Sequence, residues 1–298
     1  MQQNLPSALA PLCAAPVRST AKPSLTVPPL ACDTHAHILG PASVYPYSDE
    51  RVYTPPDCLL PDYRTMLQTL GVQRCVLVQP SVYGSDNRVL LKALAALGDD
   101  ARGVAVVSPD VNHAELQALH DSGVRGLRLN LVDRRDKHAA LALQDLQTLA
   151  ASIAPLGWHL ELLAHVNELP QLDRLLGDLP VPLVFGHLGY TPASLGTAHA
   201  GFRALLRLAA RGRAWVKLTG PYRLTPEPLP YAPVLDFARE LGRQCPGQLL
   251  WGSDWPHVML KGQMPDDAQL LDLLPDWLPD AGLRRQVLVD NPERLYGW

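Results

Sequence analysis

The stretch LACDTHAHI, residues 30–38, starts as an apolar run and ends in a cluster of polar side chains. Continuous rather than alternating hydrophobicity is what a strand covered on both faces shows. The same form recurs as CVLVQPS at 75–81, GVAVVSP at 103–109, GVRGLRLN at 123–130 and WHLELLAH at 158–165. It returns again as VPLVFGH at 181–187, AWVKLTG at 214–220 and QLLWGSD at 248–254. Between these runs lie helical candidates such as LLPDYRTMLQTLG, NRVLLKALAALG, HAELQALHDSG, HAALALQDLQTLAASIAPLG and FRALLRLAARG. Several close on Gly, as helix C-termini often do. Eight strand-helix units predict an α/β fold, a (β/α)8 TIM barrel over residues 29–298, with its active site where the strands end.

Residues 1–28 are rich in Pro, Ala and Ser without a period, and predict an arm that is disordered or draped over the barrel. The 298-residue chain carries 26 Lys plus Arg against 29 Asp plus Glu, a formal net charge of -3. With no basic excess, nucleic acid is not an expected partner. No run approaches the roughly 20 apolar residues of a membrane-spanning helix, so no membrane association is expected either. The five cysteines are scattered and form no CxxC pair, which predicts reduced thiols in a cytoplasmic protein. Neither a phosphate-binding Gly-rich loop nor a GxSxG elbow is present, so nucleotide binding and serine-hydrolase chemistry lack support.

If the barrel reading holds, function is written in the last residues of each strand. Strand one ends in Asp33-Thr34-His35-Ala36-His37, strand two in Gln79 and Ser81, and strand four in Arg128 and Asn130. The later strands end in His165, in His187, in Lys217 with Thr219, and in Ser253 with Asp254. His35 and His37 are two apart, so both imidazoles point to the same side of the strand, into the barrel. That spacing suits two nitrogen ligands on one metal, two neutral donors on one substrate oxygen, or a pair of satisfied core histidines. Asp254 lies between apolar QLLWG and Trp255-Pro256, where a buried carboxylate needs a partner. His257 falls near the mouth, and Lys217 is read as a barrel-interior or substrate contact. Arg125 and Arg128 are three apart and face opposite sides, and Arg128 is taken as the inward one. With Arg134 and Arg135 in the following loop and Arg223 after strand seven, planar donor forks gather where an anionic small substrate would bind, though surface salt bridging is the alternative for each.

At this point the pattern resembles the amidohydrolase superfamily: the HxH of strand one, His187 in FGHLGY, Asp254 in LLWGSDWPH and the closing NPERLYGW match its barrel signature. Within it, DTHAHILGP, YPYSDERVYTPPD, QPSVYGSDN, GVRGLRLNLVDRR, GWH, Arg223-Leu224 and MPDD resemble the 2-pyrone-4,6-dicarboxylate hydrolase (lactonase) branch of aromatic catabolism. The resemblance runs from about residue 29 to the end. It implies that Asp254 activates water, that His35, His37 and His187 polarise a lactone carbonyl, and that Arg128, Arg134 and Arg223 hold carboxylates. Tyr53 and Ser81 match further substrate-contacting positions. The branch is described as independent of metal, so no cofactor is obligatory. The alternative is one divalent Zn or Mn on His35, His37, His187 and Asp254, with His165 close to where metal-dependent members place a strand-five ligand. The chain departs from the branch at strand five, where a tyrosine is usual and Leu162 and Leu163 stand, and at Tyr190, where arginine is more familiar. The expected reaction is therefore opening of a small anionic lactone. The alternatives are a sugar-acid (aldono- or galactarolactone) lactonase, a metal-dependent decarboxylase, or a binding protein without turnover.

Overall fold

The computed structural model describes residues 10–108, 110–132 and 143–298. Eight parallel strands follow one another in chain order around one sheet: β1 (Cys32–Ala36), β2 (Arg74–Val78), β3 (Ala101–Ala105), β4 (Val124–Asn130), β5 (His159–Leu163), β6 (Leu183–Phe185), β7 (Ala214–Leu218) and β8 (Leu249–Trp251). Each falls within or overlaps a run predicted from the sequence. Backbone hydrogen bonds join the last strand to the first: Asp254 N–H donates to His35 O and His37 N–H to Trp255 O, both at 2.8 Å. The Thr34 hydroxyl adds a bond to Trp251 O at 2.7 Å. Sheet and helices thus form the nearly closed barrel expected of this pattern.

The intervening helices begin and end on local signals. The helix α1 (Leu60–Leu70) carries Pro in its first turn and stops at Gly71, whose φ of 77° is left-handed. The helices α2 (Arg88–Leu97) and α3 (His113–Asp121) follow β2 and β3, and α3 starts with a reciprocal Asn112–Glu115 capping box. A smaller apolar cluster includes Cys32, Val76, Val104, Val184, Trp215 and Leu250 from the strands, with Tyr296 from near the C-terminus. Side chains fill the interior, as in small barrels generally, so the chemistry is confined to one end.

The described part of the arm lies against the barrel. Leu12 bridges to Thr54, Arg18 pairs with Asp62 at 2.6 Å, and the amides of Ser24 and Leu25 donate to Asp272. All five cysteines are free thiols. Among the described residues no helix is long and apolar enough to cross a membrane.

Candidate active site

The ends of β1, β6, β7 and β8 converge on Asp254, which is almost fully buried. Its Oδ1 faces three imidazoles: His35 Nε2 at 3.5 Å, and His37 Nε2 and His187 Nε2 each at 4.0 Å. Its Oδ2 accepts hydrogen bonds from Tyr222 OH at 2.7 Å and Arg223 Nε at 2.9 Å, with Arg223 Nη2 at 2.8 Å. Burial alone would raise the Asp254 pKa, but the Arg223 guanidinium and the imidazoles of His187, His35 and His37 hold it well below the usual carboxylate range. Asp254 is thus an anion with one oxygen saturated and the other facing the histidines.

Backbone geometry puts these groups in place. Asp254 and His187 have left-handed φ values of 64° and 50°, a conformation costly for residues with a Cβ and retained where the surroundings enforce it. Gly220, also left-handed, makes the close approach possible: a Cβ there would lie 2.8 Å from His187 Nδ1 and 3.2 Å from Asp254 Oδ2. Asp33 pins the underside of this corner, accepting from Ser253 Oγ at 2.6 Å, Ser253 N at 2.9 Å and Tyr63 OH at 3.0 Å. Burial pushes its pKa up to about 6 despite those bonds.

Desolvation lowers the pKa of all three histidines, so each is held toward the neutral form and its partners decide which nitrogen carries the proton. His37 Nδ1 lies 2.7 Å from Val78 O, which can only accept, so His37 presents an Nε2 lone pair to the site. Thr219 Oγ1 accepts the His187 backbone N–H at 3.1 Å and lies 2.8 Å from Nδ1 of the same residue. Its hydroxyl hydrogen is free to go to that Nδ1, which leaves His187 an Nε2–H donor. His35 Nδ1 sits 3.2 Å from both Glu161 Oε1 and Lys217 Nζ.

A cavity of about 700 Å³ adjoins this centre through Tyr222 and Arg223, and His165, Tyr190, Val52 and Lys261 line it as well, while Asp254 and the three histidines are not among its lining residues. That volume suits a small-molecule site. Arg128 is buried as predicted, its Nη1 donating to Gln79 O at 2.8 Å, and its Nε has no partner among the described residues. Arg125 instead donates to His120 O and Val124 O. Tyr53 is buried and accepts from Ser81 Oγ at 3.4 Å. Arg223 lines the cavity, yet its Nε and Nη2 are turned onto Asp254. Arg134 lies outside the described residues. His165 stacks edge-on against Tyr190 with ring centroids 4.7 Å apart, on the cavity wall.

His35, His37 and Asp254 each offer a ligand atom within 4.8 Å of one another, and His35 Nε2 is a buried nitrogen without a hydrogen-bond partner. These three residues therefore fit a single divalent ion, and His165 is not among them. Glu161 and Tyr222 escaped the sequence reading. Glu161 had a visible signal, since an acid inside the apolar run HLELL is as unusual as Lys217 inside AWVKL. Tyr222 follows a strand in a short 3-10 turn, Pro221–Arg223, and nothing in its sequence neighbourhood marks it.

Comparison with known proteins identifies the family. The family model described as Amidohydrolase matches residues 32–298. The chain is 38% identical to a 2-pyrone-4,6-dicarboxylate hydrolase of Comamonas testosteroni, over 92% of each chain. It is 36% identical to a 4-sulfomuconolactone hydrolase of Rhizobium radiobacter, over 96% of each. An apo crystal structure from Agrobacterium tumefaciens superposes with a TM-score of 0.83 at 29% identity, covering 93% of this chain and 98% of that one. The barrel topology, the converging histidines and aspartate, and a match across the whole barrel place this chain in the amidohydrolase family.

Proposed function

We propose that the protein hydrolyses a lactone bearing carboxylate groups, of the 2-pyrone-4,6-dicarboxylate kind, with Asp254 as general base. The observation that carries this reading is the division of labour within Asp254. Its Oδ2 is consumed by Tyr222 and Arg223, while Oδ1 faces His35, His37 and His187 across 3.5 to 4.0 Å. Two relatives that match nearly the whole chain are named for hydrolysis of cyclic esters with acidic substituents.

In this mechanism Asp254 Oδ1 and the His37 Nε2 lone pair hold a water, and Asp254 takes its proton as the oxygen attacks the lactone carbonyl carbon. His187, as an Nε2–H donor, stabilises the oxyanion that develops, and His35 joins it as an Nε2–H donor with its Nδ1 accepting from the Lys217 ammonium. Collapse breaks the ring C–O bond, Asp254 returns its proton to the departing oxygen, and the product is the ring-opened acid. Arg128 and Arg223, with Arg134, Tyr53 and Ser81, hold the substrate's carboxylates and orient the ring. The unpartnered Arg128 Nε supports an anionic substrate, because a buried donor otherwise stays unsatisfied.

A divalent ion, if bound, would be held by His35, His37 and Asp254, and would supply a Lewis acid and a water of lowered pKa. The proposed reaction has no obligatory metal, since the ester carbonyl of a conjugated pyrone is already activated. The test is loss of the ultraviolet absorbance of 2-pyrone-4,6-dicarboxylate with untreated and chelator-treated enzyme, metal content being assayed on the same sample. Turnover by metal-free protein is expected. No turnover from folded enzyme sinks the pyrone. Turnover lost on chelation and restored by Zn or Mn sinks the metal-free route.

A further inference from the structure

Behind Asp254 runs a file of buried polar groups, of which the mechanism above uses only Tyr222. Tyr222 OH lies 2.7 Å from Asp254 Oδ2 and 2.8 Å from His257 Nδ1. On its far side, His257 Nε2 lies 3.2 Å from Asp267 Oδ1, and both of those side chains are fully buried. The backbone returns at the same place, with His257 N–H donating to Asp254 O at 2.8 Å.

Hydrogen-bond inventory gives this file a direction. Tyr222 has a single hydroxyl hydrogen, and ionised Asp254 can only accept, so that hydrogen goes to Oδ2. The Tyr222 oxygen must then accept from His257, which places a hydrogen on Nδ1. Its Nε2 faces Asp267 Oδ1 at 3.2 Å, an ion-pair distance without hydrogen-bond geometry. The hydrogens on the Tyr222 hydroxyl and on His257 Nδ1 therefore both point toward Asp254. The helix α4 (Asp267–Leu271) starts at Asp267, next to a reciprocal capping box at Asp266 and Gln269, so a capped helix start holds the anchor.

We propose that Tyr222, oriented by His257 and Asp267, is a positioning residue for the general base. It fixes Asp254 with Oδ2 saturated, so that Oδ1 alone is presented to water and the three imidazoles. The proposal rests on the lactonase reading for its kinetic consequences, but the hydrogen-bonded file stands without it. Tyr222 and Arg223 grip the same oxygen and both line the cavity, whereas His257 and Asp267 are not among its lining residues and stand behind Tyr222.

The test uses full-length protein. Tyr222→Phe is expected to lower kcat about tenfold or more, since mispositioning spoils the proton transfer, while KM changes by less than about threefold. His257→Gln, which keeps an N–H for the Tyr222 oxygen, should retain more kcat than His257→Leu. A raised KM with unchanged kcat in Tyr222→Phe, or equal loss in the two His257 variants with both folded, overturns the proposal. Independently of any activity, the His257 Nδ1–H proton should be visible by NMR as protected from exchange, lost in Tyr222→Phe and shifted in Asp254→Asn. If wild type opens no lactone, the lactonase reading fails while this resonance still decides the file. An unprotected proton, or one indifferent to both substitutions, removes it.

Discussion

Lys217 Nζ lies 2.6 Å from Glu161 Oε2 in the barrel interior, and the pair meets His35 Nδ1 from below at 3.2 Å on each side. Both side chains are fully or almost fully buried. Burial penalises the charge of each, lowering the Lys217 pKa, while at Glu161 the lysine and His35 together outweigh burial and hold the acid well below its usual range. The pair is the support on which His35 sits, and it is intact only while both partners are present.

Removing one partner leaves a buried uncompensated charge, so Lys217→Met is expected to destabilise the fold by about 3–5 kcal/mol. The double variant Lys217→Met with Glu161→Gln should recover much of that loss. Urea unfolding of the two singles and the double measures this. Additive losses in the double variant would show that the pair is not coupled.

Asp254→Asn retains the shape of the side chain and removes the base. Turnover should fall by about a thousandfold or more, in line with loss of proton transfer together with its electrostatic setting, while substrate still binds. Binding is read by calorimetry, turnover by absorbance. Activity within about tenfold of wild type would remove Asp254 from the chemistry.

Gly220→Ala places a methyl group 2.8 Å from His187 Nδ1 and strains a φ of 54°. Kinetics should show a loss of kcat larger than the loss of thermal stability would explain, because the methyl displaces the Thr219–His187 bond beside it. Wild-type kcat in the folded variant would show that His187 orientation does not matter.

Asp33 contributes a pH dependence of known sign. Its folded pKa of about 6 is above the unfolded value of about 3.9, so the folded state binds the extra proton between those limits. Its contribution to stability is therefore full below about pH 3.9 and is lost as pH rises through 6. The difference in unfolding free energy between wild type and Asp33→Asn should decline over that window by an amount on the order of 2–3 kcal/mol. A flat difference would place the Asp33 pKa near its ordinary value.

Much of this was legible in the chain itself. Parallel strands buried on both faces have to be continuously apolar, and a filled barrel leaves only their C-terminal ends for chemistry. For that reason the eight runs could be placed, and His35, His37, Arg128, His187 and Asp254 stood out as polar residues where apolar ones should have ended. Period-two geometry likewise separated Arg128 from Arg125 without any coordinates.

Closure of the barrel decided the rest. Glu161 and Lys217 are 56 positions apart, and they meet because β5 and β7 face the same interior. Tyr222, His257 and Asp267 come from separate segments whose approach depends on backbone torsions that side-chain identity does not encode, such as the left-handed Asp254 and His257. Hydrogen-bond direction is a property of pairs, so which nitrogen of each histidine carries the proton followed only once Val78 O, Thr219 and Lys217 had been brought beside them. Residue types and their spacing determined where the chemistry stands. The packing of distant segments determined which atoms present it, because donors and acceptors acquire their roles only from their neighbours.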